Sequence, residues 1–115
     1  MSYPTIDPAS MAAARGPHPA ASPYDKDVGR ALGIRAFGSY QVELPHGAET
    51  VSHHHRGDGA EDMYAVLRGT GLVVVDGEEV PVSPGQFIAI TPDSIRHVRA
   101  GASGLVFSAV CGTPP

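Results

Sequence analysis

The sequence predicts an all-β fold, either a sandwich or a small barrel of short strands. Two observations carry this prediction. The chain of 115 residues contains 14 glycines and 11 prolines, and from about residue 33 onward they separate short apolar runs. Turn residues at such spacing are typical of all-β domains. A chain of this length is expected to form one domain.

The first 25 residues differ in composition from the rest of the chain. They are rich in proline, alanine and serine and show little apolar periodicity. We therefore predict a flexible N-terminal arm over residues 1–25 and a β-barrel domain over residues 26–115. The alternative is an arm that becomes ordered against a neighbouring molecule. Residues 25–32 could form one or two turns of helix.

The remaining segments are assigned to strands by their apolar pattern and their bounding turns. Asp76-Gly77 is the strongest hairpin signal, because a tight hairpin turn needs residues that tolerate a positive φ. Gly69-Thr-Gly71 and Ser83-Pro-Gly85 are also expected to be turns. The predicted strands are 34–37, 39–44, 49–55, 62–67, 72–75, 78–82, 86–91, 95–99 and 105–111.

Three consecutive histidines end the third predicted strand. Alternation along an extended chain places His53 and His55 on one face and His54 on the other. Asp62 opens the next strand, and His97 follows the turn at residues 92–94. Imidazole and carboxylate groups are ligands that divalent transition metals take in proteins. These four side chains, without His54, are therefore the candidate metal ligands.

The histidine segment resembles the first sequence motif of the cupin superfamily. That motif reads Gly, five residues, His-x-His, a few residues, Glu, six residues, Gly. Here Gly47 and five further residues lead to His53-x-His55, and Asp62 and six further residues lead to Gly69. Asp62 stands in place of the usual Glu, and its distance from His55 is longer than usual. Glu61 is therefore the alternative carboxylate, and ligation by three histidines alone is a further one.

The second cupin motif reads Gly, five residues, Pro-x-Gly-x-x-His. Here Gly85 leads to Pro92-Asp-Ser94-Ile-Arg-His97, with Ser94 in place of the second glycine. One extra residue separates Gly85 from Pro92, which predicts a bulge or a longer turn. The resemblance covers residues 37–111, and the short segment between the motifs is typical of small bacterial cupins.

The resemblance implies a double-stranded β-helix, or jelly-roll, barrel that holds a divalent transition metal such as Fe, Ni, Mn, Cu or Zn. The resemblance gives a fold and a site but not a reaction. Metal chemistry in an apolar barrel then favours a metal-dependent enzyme, an oxygenase or an isomerase/cyclase, that acts on a small organic substrate. The alternatives are a non-catalytic module that binds a metal or metabolite, and a barrel that serves interaction only. Three residues are candidates for the substrate pocket. Tyr64 shares a face with Asp62, and Phe107 is a large ring in a small barrel. Arg99 shares the parity of His97 and could contact an acidic substrate group at the pocket mouth.

Charge and composition narrow the partners. The net charge is −4 and lysine occurs once, so no basic stripe is available for nucleic acid. No apolar run is long enough to span a membrane, and the N-terminus does not resemble a secretory signal. A single cysteine, Cys111, excludes an internal disulfide and fits a cytoplasmic location. We expect a homodimer, because pairing at an edge strand would cover that edge.

Overall fold

The computed structural model describes residues 2–13 and 22–115. Its elements are strands apart from one short helix and one 3₁₀ turn, so the predicted all-β class is confirmed. Every described strand pairing is antiparallel. In the described residues, no helix has the length and apolar character needed to cross a bilayer. The elements are a 3₁₀ turn (Pro8–Ser10), β1 (Asp25–Asp27), α1 (Val28–Ala31), β2 (Gly38–Leu44), β3 (Glu61–Val75), β4 (Glu78–Val82), β5 (Phe87–Ile90) and β6 (Arg96–Gly112).

The strand order in the sheet is β1-β2-β6-β3-β4, and β5 pairs with β3 away from this path. β3 and β6 are therefore the central pair. β3 starts opposite the end of β6, where Glu61 pairs with Gly112, and it ends opposite the start of β6, where Val75 pairs with Arg96. Side chains near both ends of this pair contribute to the site described below.

The predicted helical turn near residue 28 is confirmed as α1. Asp27 caps its N-terminus by accepting a hydrogen bond from the backbone N–H of Arg30 at 2.9 Å. Part of the predicted N-terminal arm is described, and the Nζ of Lys26 donates to the carbonyl oxygen of Pro8 at 2.8 Å. Residues 1 and 14–21 of that arm lie outside the described residues. The flexibility of the arm and the domain boundary stay predictions.

β3 and β6 are longer than predicted, and the turn expected at Gly69-Thr-Gly71 is wrong. β3 continues through these residues, with shifts of register between Val66 and Arg68 and between Gly69 and Gly71. Gly69 has a φ of 77°, and a Cβ there would overlap the carbonyl oxygen of Gly104 on β6. The glycines therefore permit bulges and a close approach of two backbones, and the strand does not end at them.

The Asp76-Gly77 hairpin is confirmed. The φ angles are 50° at Asp76 and 82° at Gly77, and the turn joins β3 to β4. The strand predicted over residues 34–37 is not formed. The strand predicted over residues 49–55 is reduced to two isolated bridges, Glu49 with Arg99 and His53 with Arg96.

Alternation along the first half of β3 decides which side chains enter the barrel. Asp62, Tyr64 and Val66 are buried, whereas Met63 and Leu67 are 41% and 50% exposed on the outer face. The buried apolar cluster consists of Val42, Leu44, Tyr64, Val66, Val73, Val82, Ile90, Val98, Ala100, Leu105 and Phe107.

The homodimer that we expect from the sequence stays a prediction.

Candidate metal centre

The histidine segment runs between β2 and β3 and is held against the start of β6 by backbone hydrogen bonds. His53 exchanges two of them with Arg96, at 3.0 and 2.9 Å, and the N–H of His55 donates to the carbonyl oxygen of Pro92 at 2.8 Å. His53 and His55 are two positions apart on this extended segment, so their side chains point the same way. Their rings meet edge to face, with centroids 5.0 Å apart.

Two imidazoles and one carboxylate converge at the barrel interior. The Nε2 atoms of His53 and His55 lie 3.9 and 3.5 Å from Oδ2 of Asp62. One ligand atom from each of the three residues lies within 4.8 Å of the others. Two imidazoles and one carboxylate form a ligand set that suits divalent transition metals. These three side chains could therefore hold such an ion.

Both histidines form hydrogen bonds through Nδ1, on the side of the ring that faces away from this cluster. Nδ1 of His53 lies 2.9 Å from the carbonyl oxygen of Val51, and Nδ1 of His55 lies 3.2 and 3.3 Å from the two carboxylate oxygens of Asp58. Carbonyl and carboxylate oxygens accept hydrogen bonds, so each Nδ1 donates. A neutral imidazole then keeps its lone pair on Nε2, which is the atom directed at Asp62.

Burial also favours the neutral form of His53. Desolvation, the largest influence, lowers its pKa below the usual value, and the positive charge of Arg96 acts in the same direction. The hydrogen bond to Val51 and the charge of Asp62 oppose them but are outweighed. A metal-ligating histidine must be deprotonated, so the environment of His53 is suited to ligation.

Asp62, and not the alternative Glu61, faces the barrel. Asp62 is 6% exposed, whereas Glu61 lies on the exposed face of β3. The hydroxyl of Tyr64 donates to Oδ2 of Asp62 at 3.3 Å. His54, predicted to point away from the metal, is exposed, and its Nδ1 accepts from the backbone N–H of Arg56.

The structure does not bring His97 to this cluster. Arg96 and Val98 on either side of it face inward, with 0% and 1% exposure, so strand alternation turns His97 outward. Its Nε2 lies 3.9 Å from Oε1 of Glu49. The expectation of a fourth ligand at His97 is therefore corrected, and the inward position belongs to Arg96. The Nε of Arg96 lies 3.4 Å from Oδ2 of Asp62.

A cavity adjoins the three donors. Its volume is about 60 Å³, which is room for a few waters. Tyr64 and Phe107 line it, with ring centroids 5.1 Å apart, and their role in a substrate pocket stays a prediction. Arg99 does not line it, because Arg99 is on the outer face, 3.3 Å from Glu79. The other lining residues are Asp25, Tyr40, Val42, Thr50, His53, His55, Asp62, Ala109 and Cys111.

Two of the cavity residues have raised pKa values. Burial is the largest cause at both Tyr64 and Cys111, and the negative charge of Asp62 adds to it. Both groups are therefore protonated at neutral pH. Cys111 is half-buried at the cavity wall.

Sequence reasoning missed two residues of the site. Asp58 lies in the turn between His55 and Asp62, and its signal is the acidic residue three positions after a ligand histidine. Arg96 also has a signal. Counted from Gly85 with the five residues of the motif, Thr91 falls at the proline position and Arg96 at the histidine position.

Comparison with solved structures agrees with this architecture. A cupin protein from Bacteroides fragilis is 22% identical, with a TM-score of 0.77 over 98% of this chain and 86% of that chain. A sugar phosphate isomerase of the cupin superfamily from Silicibacter pomeroyi is 22% identical, with a TM-score of 0.74 over 97% and 77%. A Cupin 2 conserved barrel domain protein from Salinispora arenicola is 17% identical, with a TM-score of 0.66 over 97% and 88%.

Identities below 25% carry the fold alone. No curated protein is similar enough in sequence to be matched to this chain. The sequence model of the cupin domain, Cupin_2, matches residues 40–108, which is more than half of the chain. Of the residues that line the cavity, only Asp25, Ala109 and Cys111 lie outside this match. The chain therefore belongs to the Cupin_2 family of cupin domains.

Proposed function

We propose that this cupin binds one divalent transition metal through Nε2 of His53, Nε2 of His55 and a carboxylate oxygen of Asp62. The observation that carries the proposal is the orientation of the two imidazoles. Each donates its Nδ1–H away from the cavity, to Val51 and to Asp58, and directs Nε2 toward the same carboxylate oxygen. Hydrogen bonds of this kind fix metal-ligating histidines in many sites.

We further propose that the metal serves an enzyme of the oxygenase or isomerase/cyclase type, acting on a small organic molecule. A divalent ion would supply Lewis-acid chemistry at a carbonyl or enolate oxygen, and iron or copper would add redox chemistry. The chain itself supplies a mostly apolar wall, including Val42, Phe107 and Ala109, that limits water. The related Silicibacter protein is called a sugar phosphate isomerase, which supports the isomerase arm only through a shared fold.

The second candidate is a non-catalytic module that binds a metal or a metabolite. The cavity favours this candidate, because it has room beside the donors for a few waters, which is all that a module holding only a metal requires. The two candidates differ in whether a bound ion exchanges ligands. An enzyme needs an exchangeable position on the ion, whereas a storage or structural site does not.

Elemental analysis of untagged protein, purified without imidazole or chelator, tests the metal site. We expect near-stoichiometric Fe, Ni, Mn, Cu or Zn in the parent protein and none in a His53→Ala/His55→Ala variant. His54→Ala is the matched control, because His54 is exposed in the same segment, and it should retain the metal. A folded parent protein that takes up no metal would refute the proposal. If the parent protein does hold a metal, dioxygen uptake by the metal-loaded sample with candidate enols and catechols tests the oxygenase arm, because an isomerase or cyclase consumes no dioxygen.

A further inference from the structure

Arg96 occupies the inward position at which the family motif has a histidine. It is bridged to His53, backbone to backbone, so both side chains leave the same side of the two strands. The residue is fully buried. Its side chain reaches the carboxylate of Asp62, which is also the candidate ligand. A cation therefore replaces a potential ligand at the centre of the site.

The terminal nitrogens of Arg96 donate hydrogen bonds to backbone carbonyl oxygens, and none of its nitrogens donates one to Asp62. Nη1 donates to the carbonyl oxygen of Ser94 at 2.9 Å, and Nη2 donates to that of Thr91 at 3.0 Å. Nε is buried and has no hydrogen-bond partner among the described residues, although Oδ2 of Asp62 is 3.4 Å away. Guanidinium has no lone pair and does not lose its proton in proteins. Arg96 therefore contributes a fixed positive charge and no ligand atom.

The charges at the cluster can be counted. The charges of Arg96 and Asp62 cancel, and an imidazole that binds a metal is neutral, so a divalent ion would leave a local excess of two positive charges. Asp25 also lines the cavity, but both its oxygens already accept from Ser22, from its N–H at 3.1 Å and its hydroxyl at 2.5 Å. Even with Asp25 included, one positive charge remains. Asp58 is 61% exposed, so solvent screens its charge.

We propose that Arg96 sets the ligand preference of the loaded site. It limits the ion to three protein donors, and it makes a small anion, such as a carboxylate or an enolate, the preferred ligand at the remaining positions. The inference rests on the proposed metal site and adds a substrate class to it. A buried excess of positive charge is costly unless an anion enters, and the cavity beside the donors has room for one that is small.

The test uses Co(II) as the metal and azide as the anion, with binding followed in the visible spectrum of the cobalt protein. Wild-type protein should take up Co(II) and bind azide. The neutral variants Arg96→Met and Arg96→Gln should bind azide at least about tenfold more weakly, because the attraction of a unit charge a few ångströms away exceeds that factor at an effective dielectric constant near 20. The same variants should bind Co(II) more tightly, since a repelling charge is gone. Arg96→His, which adds a donor, should bind Co(II) most tightly.

Opposite changes in the two affinities separate this role from a structural one, because a damaged fold would weaken both. Arg96→Lys keeps the charge and should retain azide binding, and His97→Ala, on the outward face, should change neither affinity. Circular dichroism establishes which variants are folded. Independently of any variant, loaded wild-type protein should bind azide more tightly than neutral imidazole, and the reverse order would overturn the inference.

The remaining outcomes distinguish the two proposals. Failure of wild-type protein to take up Co(II) would overturn the proposed metal site and this inference together. Normal uptake of Co(II), with the same azide affinity in wild-type protein and in the folded neutral variants, would overturn this inference alone.

Discussion

Asp58 should control metal affinity although it touches no metal. Its carboxylate accepts from Nδ1 of His55 at 3.2 and 3.3 Å. Loss of such a partner typically costs about 10- to 100-fold in metal affinity, or about 1.4–2.7 kcal/mol. Both distances exceed the roughly 2.7–2.9 Å of a strong charge-assisted bond, and Asp58 is 61% exposed. We therefore expect Asp58→Ala to bind a divalent ion about tenfold more weakly, near the lower end of that range.

Asp58→Asn gives a sharper version of the experiment. The amide keeps an oxygen that accepts from His55 and from the N–H of Ala60, which the carboxylate of Asp58 also binds at 3.1 Å, but it removes the charge. Its affinity should fall between those of wild type and Asp58→Ala. Titration calorimetry with Zn²⁺ or Co²⁺ measures all three, and His54→Ala in the same segment is the control. Wild-type affinity in Asp58→Ala, with an unchanged thermal melting curve, would refute the role given to this carboxylate.

Three further predictions concern stability. Gly69→Ala should destabilise the fold by more than about 3 kcal/mol, because its Cβ would overlap a backbone oxygen of β6. Gly77 has a φ of 82° and open space around it, so Gly77→Ala should cost only about 1–2 kcal/mol. Equal losses in the free energy of unfolding for the two variants, measured with denaturant, would contradict this. Leu105→Ala should cost about 2–5 kcal/mol because Leu105 is 1% exposed, while Leu67→Ala, at 50% exposure, should cost less than about 1 kcal/mol in the same assay. The metal-free protein should lose stability as the pH falls below about 6.5, because the pKa of His53 is lowered in the folded state and the unfolded chain binds the proton first. The free energy of unfolding in urea should fall between about pH 7.5 and about pH 5.5, and it should fall less in His53→Gln than in wild-type protein. An equal fall in the two proteins would count against this prediction.

The sequence was sufficient to predict the parts of the site that depend on local alternation. His53 and His55 share a face because they are two positions apart on an extended segment, and Asp62 faces inward with Tyr64 for the same reason. The Asp76-Gly77 turn was predictable because few residues tolerate its backbone angles. These features need no knowledge of distant parts of the chain.

The errors arose where tertiary pairing decides the outcome. Pro92 and His97 look like the family motif, but one extra residue after Gly85 shifts them, and a shift of one residue exchanges the two faces of a strand. Arg96 is therefore the residue that faces Asp62. The sequence around Gly69 and Gly71 predicts a turn, yet these glycines allow two long strands to bulge against each other. Asp58 sits in an irregular turn where no periodicity places a side chain.

The long pairing of β3 with β6 has a consequence for folding kinetics. The hairpin at Asp76-Gly77 joins neighbours in sequence, but the ladder must extend from Val75 and Arg96 to Glu61 and Gly112 before it is complete. Contacts between distant parts of a chain close slowly, and Asp62 lies near the last pair to close. The donor triad should therefore assemble after the main folding barrier. We expect a bound ion to slow unfolding in stopped-flow experiments and to leave the refolding rate unchanged; an ion that accelerates refolding would place the triad in the folding nucleus instead.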